Sequence, residues 1–373
     1  MDNYINREVL DLYSDYLLSS FGLTTATGLS EVLDGAVSHD TVSRFLKSEA
    51  LTSATLWRLV KPIVRAVQSE DAVLIIDDSI LEKPHTDESE LVCWHWDHAQ
   101  GKAVKGINLL TALYHSQDVS LPVSFELVTK PDVYTDKKTG RQKRRSLKSK
   151  NQLSRGMLKT ATDNNLPFKY VLTDVWYASA ENMVYITVTL NRDFVMPLKF
   201  NRNVALSETD QREGRFVDVS SLELEAAHPV DSLNPRTRVS RTVTVWLEDV
   251  PFPLLLCKQV FINEDGSQGN LYLITNDRTL SAQDMAVLYH KRWKVEEYHK
   301  SLKSNASLEK SPTKTKRTQS NHIFVSLYAF VKLEMLSIHT RLNHFALKSK
   351  LYVQAIKTAF GQLQSLQANC SNA

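Results

Sequence analysis

Apolar residues recur at helical spacing through the first seventy positions of the chain. Leu10, Tyr13 and Leu17 lie three and four residues apart, and strand-like alternation is almost absent before residue 70. This spacing gathers apolar side chains on one face of a helix. The pattern predicts a helical N-terminal region over residues 1–70.

Part of this region, Leu29–Leu46, has the outline of a helix-turn-helix. A turn at Asp34-Gly35 follows a short apolar helix, and Ser38 is placed to cap a second helix. The second helix would present Arg44 to phosphates or base edges. Two small helices around a glycine turn also occur in proteins that bind no DNA, so the outline favours a DNA-binding region without requiring one.

Beyond residue 70 the pattern becomes that of strands that end in acidic residues. A strand at Ala72–Ile76 runs into Asp77-Asp78. After a helix at Asn151–Asn164, another strand at Tyr170–Thr173 ends at Asp174. Further strands are predicted between them at Leu91–Trp96, Gly106–His115 and Val119–Leu127. Together they predict a central α/β sheet whose site lies at strand ends.

From about residue 183 to residue 265, alternating β-branched and aromatic residues dominate, which predicts a β-rich insertion in the α/β domain. Its strands are predicted at Tyr185–Leu190, Phe216–Val219, Thr242–Leu247 and Leu254–Phe261. A buried strand then returns at Leu271–Thr275, and amphipathic helix follows Asn321. We therefore expect a catalytic domain over residues 71–320 and C-terminal helices over 321–373 that finish the core and provide a small interface.

The composition is that of an ordinary folded protein, with 42% hydrophobic and 23% charged residues among 373. No apolar run approaches the ~20 residues of a membrane span, and the polar start Met1–Arg7 does not fit a signal peptide. Three cysteines lie far apart, which favours a reducing compartment. We expect a cytoplasmic protein with no membrane partner.

The formal net charge of +3 is small, but its distribution is informative. Lysine and arginine crowd into residues 137–150 and again into residues 300–317. One such stretch is as often a solvated loop, whereas two in a near-neutral chain favour a polyanionic partner. We expect Lys143, Arg144 and Arg145 in the first stretch to contact DNA.

The segment after Ser281 carries the most informative pattern. At about 100° per residue, four polar groups fall within roughly 60° of one another on a single helix. They are a phenol, a guanidinium, a carboxylate and an ammonium: Tyr289, Arg292, Glu296 and Lys303. A salt-bridged surface helix is the ordinary reading of such charges. It explains less here, because a surface helix requires neither a tyrosine nor an arginine at these places.

These four residues match, without a gap, the pattern Y-x-x-R-x-x-x-E-x-x-x-x-x-x-K. On this ground the chain resembles the DDE transposases of bacterial insertion sequences, in the branch named after insertion sequence four. Ile75–Ser79 is similar to the family's first-aspartate strand, and Val171–Tyr177 is similar to its second. The resemblance spans roughly residues 72–303 and implies a ribonuclease H-like catalytic domain interrupted by the β-rich insertion.

The resemblance implies phosphoryl transfer on DNA with two Mg²⁺ ions, for which Mn²⁺ is a substitute. Asp78 would bind both ions, Asp174 one of them and Glu296 the other. Asp77 is the alternative to Asp78, because adjacent strand residues point to opposite faces and only one should reach the site. The phosphates beside the scissile bond would be held by Tyr289, Arg292 and Lys303.

The resemblance also implies the order of events in cut-and-paste transposition. Water frees a 3′-hydroxyl at the element's end, this hydroxyl forms a hairpin with the opposite strand, and the reopened end joins target DNA. The partners would be the terminal inverted repeats, target DNA and a second copy of the chain across paired ends. A flipped base would stack on an aromatic residue, for which Tyr272 and Trp246 are candidates.

Three other interpretations remain open. A nuclease of the same fold would cut DNA without joining it, and a transposase-derived protein would bind DNA without catalysis. A structural zinc site is the third, suggested by Cys93, His95, Asp97 and His98, although side chains at this spacing do not converge easily on one ion.

Overall fold

The computed structural model describes residues 6–97, 100–231 and 234–371. Its first part consists of helices, each preceded by a polar residue whose side chain accepts a backbone N–H. The helices are α1 (Arg7–Ser19), α2 (Ala26–Val32), α3 (His39–Lys47) and α4 (Ser53–Val67). The capping residues are Asn6, Thr25, Ser38 and Thr52. Such caps satisfy backbone donors that have no partner within the helix.

The connection between α2 and α3 is a tight turn at the place that the sequence indicates. Asp34 and Gly35 have φ angles of 49° and 79°, a conformation that glycine adopts without strain. α3 buries Val42, Phe45 and Leu46 and packs against a long C-terminal helix. Arg44 remains exposed on its outer face.

A large mixed sheet follows, with a small separate hairpin beside it. The strands of the first half are β1 (Val73–Glu82), β2 (Cys93–Asp97), β3 (Lys102–Ser116), β4 (Val119–Val128), β5 (Asp132–Thr135) and β6 (Gln142–Arg145). β3 pairs antiparallel with β1 on one side and with β2 and β4 on the other. β5 and β6 pair only with each other, so the basic stretch expected as a loop is in part a two-stranded hairpin.

The second half of the chain extends the same sheet beyond β1. Helix α5 (Lys150–Asp163) leads into β7 (Tyr170–Thr173), which lies parallel to β1. The next strand, β8 (Asp193–Leu198), lies parallel to β7. The strand order β4-β3-β1-β7-β8 therefore ends in three parallel strands.

The strand expected at Tyr185–Leu190 is absent, and this prediction is wrong. α6 (Ala180–Val184) continues there as a π-helical turn at Tyr185–Thr189. The β-branched residues favour a strand locally, but Met183, Ile186 and Leu190 are buried at helical spacing. Packing in the core outweighs the weak intrinsic preference of single residues.

In its described residues, the remainder of the β-rich segment forms seven strands, of which the first two pair with each other in a separate small sheet and the other five join the central sheet. The seven strands are β9 (Asn203–Val204), β10 (Val217–Asp218), β11 (His228–Asp231), β12 (Asn234–Val239), β13 (Val243–Val245), β14 (Leu254–Ile262) and β15 (Gln268–Thr275), with the one-turn helix α7 (Glu208–Arg212) between β9 and β10. β15 pairs with β8, so the segment begins and ends at neighbouring strands, while β14, β12 and β11 extend the sheet beyond β15. The insertion thus continues the central sheet instead of forming a layer of its own.

Four helices complete the chain: α8 (Ala282–His290), α9 (Trp293–Asn305), α10 (Lys316–Thr340) and α11 (His344–Ser371). By length and apolar composition α10 alone among the described helices could span a membrane, but 56% of its most apolar window is buried inside the protein. It contacts α1, α3, α4 and β4 and is the central helix of the core. α11 is different, because most of its large apolar side chains are exposed.

Candidate active site

Two parallel strands bring aspartates to the same edge of the sheet. The register of β1 and β7 pairs Ile76 with Thr173, so the next residues, Asp77 and Asp174, stand side by side. Asp78 follows one position further along β1. Asp174 also caps the turn at Val175–Tyr177, where its Oδ1 accepts the N–H of Trp176 at 2.9 Å.

The fourth carboxylate approaches from α9, across a break in the helix that the sequence predicts as continuous. α8 ends at His290 and α9 begins at Trp293, with the backbone between them tightened into i to i+3 hydrogen bonds. Arg292 lies at this joint. Its guanidinium is 3.2 Å from Glu296 Oε1 and 3.6 Å from Asp77 Oδ2, and it therefore links the helix to the strand.

These groups line one cleft of about 540 Å³. Its acidic side consists of Asp77, Asp78, Asp174 and Glu296. Its basic side consists of Lys150, Arg292, Lys300 and Lys303. All three residues expected to bind metal therefore line the same cleft. Asp77 lines it as well, so both adjacent aspartates of β1 reach the site, whereas only one of them was expected to do so from the sequence.

Asp78 is held by three donors. Its two oxygens accept Lys150 Nζ at 2.8 and 3.0 Å, the Tyr177 hydroxyl at 2.5 Å and Asn108 Nδ2 at 2.6 Å. Burial alone would raise the pKa of Asp78, but the Lys150 charge and the hydrogen bonds hold it below its usual value. Asp78 is therefore ionised and well paired.

Asp77 and Asp174 are in the opposite situation. Burial, followed by the charges of Asp174 and Asp78, raises the pKa of Asp77 to about 8, against the attraction of Arg292. Burial and the charge of Asp78 also raise the pKa of Asp174. Like charges in a low-dielectric cleft disfavour ionisation. Asp78 is therefore stabilised as a carboxylate by its neighbours, whereas burial and like charge disfavour the ionised forms of Asp77 and Asp174.

The phosphate-binding residues expected from the sequence divide between two connected spaces. Lys303 lines the cleft, where its Nζ is 3.4 Å from the backbone oxygen of Ile80 and 3.4 Å from Glu309. Tyr289 lines an adjoining groove of about 540 Å³. Arg292 lines both and lies 5.7 Å from the Tyr289 ring.

The adjoining groove also receives aromatic side chains. Tyr272, one of the two stacking candidates, is in its wall but only 5% exposed. Trp246, the other, pairs its backbone with Ala205 and is not part of the groove wall. Phe200, which the sequence does not single out, lines the groove with 68% of its surface exposed.

Sequence reasoning also missed the partners of the carboxylates. In the sequence, Lys150 is only one member of a basic stretch, and Asn108 lies within a mainly apolar strand whose pattern does not distinguish it. His299 lines the cleft one helical turn after Glu296, and its buried Nε2 has no hydrogen-bond partner. The three-residue spacing to Glu296 is the signal that could have identified it.

The basic hairpin has acidic neighbours. Lys143 pairs with Asp136 at 2.5 Å, and Arg144 with Glu88 at 3.3 Å. Arg145 lies 3.5 Å from Asp132. These pairs are near the surface, where ion pairs are weak and exchange readily for other partners.

The alternative zinc cluster is only partly present. Cys93 and His95 lie together with 3.3 Å between Sγ and Nε2, both buried, while His98 lies outside the described residues. Asp97 lines the acidic cleft instead. Within the part of the chain that the structure describes, no three His, Cys, Asp or Glu side chains converge on one ion as they stand.

Comparison with known proteins gives one family. The model of the family described as DDE superfamily endonuclease matches residues 2–246, about two thirds of the chain. No curated protein matches the sequence.

Proposed function

Since the chain belongs to the DDE superfamily endonucleases, we propose that it is a cut-and-paste transposase of a bacterial insertion sequence. The observation that carries the proposal is the cleft itself. Aspartates that follow the last paired residues of β1 and β7 line one cleft with Glu296, Lys150, Arg292 and Lys303. Carboxylates for a divalent metal and cations for phosphates therefore meet at one place.

The order of the strands supports a ribonuclease H-like catalytic domain. β4, β3 and β1 form an antiparallel meander, and β7 and β8 follow parallel to β1. The sequence predicts the β-rich insertion over about residues 183–265, and we propose that it is the segment between β8 and β15, immediately before the helices that carry Arg292 and Glu296. We propose residues 71–320 as this domain, 1–70 as the DNA-binding region and 321–373 as C-terminal helices.

The residue types in the cleft fit a hard divalent cation. They are oxygen donors, and because burial and then neighbouring charges raise the pKa of Asp77 and Asp174, a bound cation would stabilise their ionised forms. We propose that Asp78, Asp174 and Glu296 hold two Mg²⁺ ions, with Mn²⁺ as a substitute. Bound there, the ions would neutralise the phosphodiester and stabilise both the entering and the leaving oxygen.

Other residues of the cleft bind and orient the DNA in this proposal. Arg292 lies between the acidic cleft and the adjoining groove, so it can hold the phosphate that joins a nucleotide in each. Tyr289 and Lys303 then hold the phosphates on either side. Their match to the branch named after insertion sequence four is the basis for proposing a hairpin intermediate.

The N-terminal helices and the basic hairpin provide the wider DNA surface. α3 has its apolar face in the core and Arg44 on its outer face, the orientation that a recognition helix needs. Lys143, Arg144 and Arg145 lie together on β6 and would exchange their acidic partners for phosphates. The expected DNA ligands are the terminal inverted repeats and the target.

A homodimer across paired ends is supported by α11. Its exposed apolar residues recur at three- and four-residue steps along one side of the helix: Tyr352, Ile356, Phe360, Leu363 and Leu366. An apolar face of this kind is buried when a second copy packs on it. The protein would act in the bacterial cytoplasm, on the nucleoid when DNA is bound.

The decisive experiment uses Mg²⁺ and DNA that carries the sequences flanking the gene. Glu296→Gln should abolish end cleavage while DNA binding persists. Glu297→Gln is the matched control, since Glu297 is the adjacent carboxylate but is exposed and paired with Lys294. Unchanged cleavage by Glu296→Gln would refute an active site at this cleft and favour a DNA-binding protein without catalysis.

Pre-cut ends separate the transposase from a plain nuclease. With such ends the proposed enzyme should join the 3′-hydroxyl to target DNA in Mg²⁺. Cleavage without joined products would identify a nuclease of the same fold. Parallel Asp77→Asn and Asp78→Asn variants show which of the two aspartates binds the metal, since only the ligand's loss should abolish Mn²⁺ binding.

A further inference from the structure

The carboxylate of Asp78 has no free position for another ligand. A carboxylate offers about four lone-pair sites. Lys150 contacts both oxygens, Tyr177 donates to Oδ1 and Asn108 donates to Oδ2, which makes four contacts within 3.0 Å. A divalent cation can therefore reach Asp78 only if one of these donors leaves.

The three donors differ in their freedom to leave. Tyr177 is 1% exposed and Asn108 is 2% exposed, and both are fixed by the core around them. Lys150 reaches Asp78 on a flexible four-carbon stem from the first residue of α5, and its side chain is 22% exposed in the cleft. Its ammonium also lies 4.9 Å from the Trp176 ring, so it has a second favourable surface close by.

The position of Lys150 on its helix is informative as well. The first turn of a helix carries a partial positive charge, which disfavours a lysine there. α5 has no acidic residue in that turn, so the favourable contact for Lys150 is the pair with Asp78. The position of the Lys150 ammonium is therefore determined by the ion pair with Asp78 and not by interactions within α5.

We propose that Lys150 is a built-in cation that occupies the metal position at Asp78 in the metal-free protein and moves to a DNA phosphate when the metal enters. This inference rests on the proposed function. The metal ion takes the place of the lysine charge, so the buried carboxylate of Asp78 always has a cation beside it. The released ammonium stays within the cleft, on the side where Arg292 and Lys303 already face the DNA.

Among the described residues of the cleft, the carboxylates contact the protein's own cations and do not point to one common position. Asp78 is turned toward Lys150, while Asp77 and Glu296 are turned toward Arg292. The protein's own cations hold the carboxylates apart until a metal takes their place. Lysine suits the moving role, because it binds phosphate as a flexible point charge without a fixed fork geometry.

The first test measures Mn²⁺ binding to the full chain without DNA, by the electron paramagnetic resonance signal of free Mn²⁺. Lys150→Met keeps the stem and removes the charge, so Mn²⁺ should bind severalfold more tightly and the metal-free protein should melt at a lower temperature. Lys150→Arg, which keeps a cation, should bind Mn²⁺ no more tightly than the natural protein. Lys159→Met is the control, since Lys159 lies on the same helix but pairs with Asp163 at the surface. Equal or weaker Mn²⁺ binding by Lys150→Met would overturn the proposal.

The second test measures binding of a blunt-ended duplex DNA at several salt concentrations, with Ca²⁺ or with chelator. In Ca²⁺, Lys150→Met should lower the slope of log K against log salt by about 0.9, the value of one phosphate contact. In chelator the slope should not change, and an equal loss in both conditions would overturn the exchange. Neither measurement requires DNA cleavage. A protein that cleaves no DNA could therefore still pass or fail both tests, so failure of the exchange is distinguishable from failure of the proposed enzyme activity.

Discussion

The cleft and the seam where α10 packs against α1 and α3 both bury polar groups, yet they bury them in opposite ways. In the seam, His322 accepts from the Tyr13 hydroxyl at 3.0 Å and donates to the backbone oxygen of Ser307 at 3.0 Å. Asn321, beside it, binds the backbone of the turn between α3 and α4 through three hydrogen bonds. In the cleft, by contrast, aspartates of like charge face one another.

The difference shows where stability and function reside. Neutral groups in the seam have fixed partners, so each buried donor or acceptor contributes to the fold. Carboxylates in the cleft repel one another, and their raised pKa values mean that ionisation costs free energy in the folded state. The seam therefore stabilises a single arrangement of hydrogen bonds, whereas the carboxylates of the cleft can exchange their ion-pair partners.

The largest expected effect comes from Asp174→Asn. Loss of several kcal/mol of transition-state stabilisation should lower the rate of strand cleavage by about 10³-fold, at tenfold per ~1.4 kcal/mol. The same change should raise the melting temperature of the metal-free protein, because it removes a charge from the cleft while the amide oxygen still caps Trp176. Cleavage assays and calorimetry measure the two effects.

Asp71→Asn is the control for that variant, since Asp71 is an exposed aspartate just before β1. It should change neither quantity. A lower melting temperature for Asp174→Asn would contradict the view that the cleft carries destabilising charge.

A second prediction tests the seam. Asn321→Ala removes hydrogen bonds to Leu51 N at 3.0 Å, Leu46 O at 3.1 Å and Glu49 O at 3.2 Å. The free energy of unfolding should fall by about 3 kcal/mol, since three bonds are lost and buried backbone groups stay unpaired. Urea denaturation measures the change, with Ser320→Ala as the neighbouring control. A loss below ~1 kcal/mol would show that water replaces the amide.

The pH dependence of stability gives the third prediction. Burial lowers the pKa of His322 from 6.5 to about 4, so the unfolded chain takes up a proton between these values and the folded protein does not. Stability should therefore fall as pH falls through this window, by about 2 kcal/mol from pH 7 to pH 5. His322→Gln should remove that part of the slope in denaturation series, and exposed His339→Gln should retain it.

The smallest effect is expected at the edge of the seam. Ser38 accepts the N–H of Thr41 at 3.2 Å and caps α3. Ser38→Ala should reduce the free energy of unfolding by about 1 kcal/mol. Ser43→Ala within the same helix should be neutral or slightly stabilising, because alanine is the better helix former. Equal effects of the two variants would show that capping does not matter here.

Much of the framework followed from the sequence because local signals and burial agreed. The turn at Asp34-Gly35, the cap at Ser38 and the strand Tyr170–Thr173 are where the pattern places them. Long apolar strands such as β3 and β14 were also identified, with ends that differ by a few residues. These elements form because side-chain periodicity and core packing point to the same structure.

The failures share a physical cause, which is tertiary context. The π-helical turn at Tyr185–Thr189 is made of good strand formers that the core holds in a helix. The break between α8 and α9 leaves Tyr289 in the adjoining groove and Glu296 in the cleft, although their spacing fits one helix. Lys150 could not be paired with Asp78 from sequence, since seventy-two positions separate them.

The return of the insertion to its starting point has an evolutionary consequence. Leu198, at the end of β8, is the direct partner of Tyr272 in β15, so the two ends of the inserted segment lie about one strand spacing apart. Whatever lies between can lengthen, shorten or be exchanged, because the cost of closing a loop grows only slowly with its length. The segment between them can therefore change in length and sequence while the paired strands that carry the aspartates keep their register.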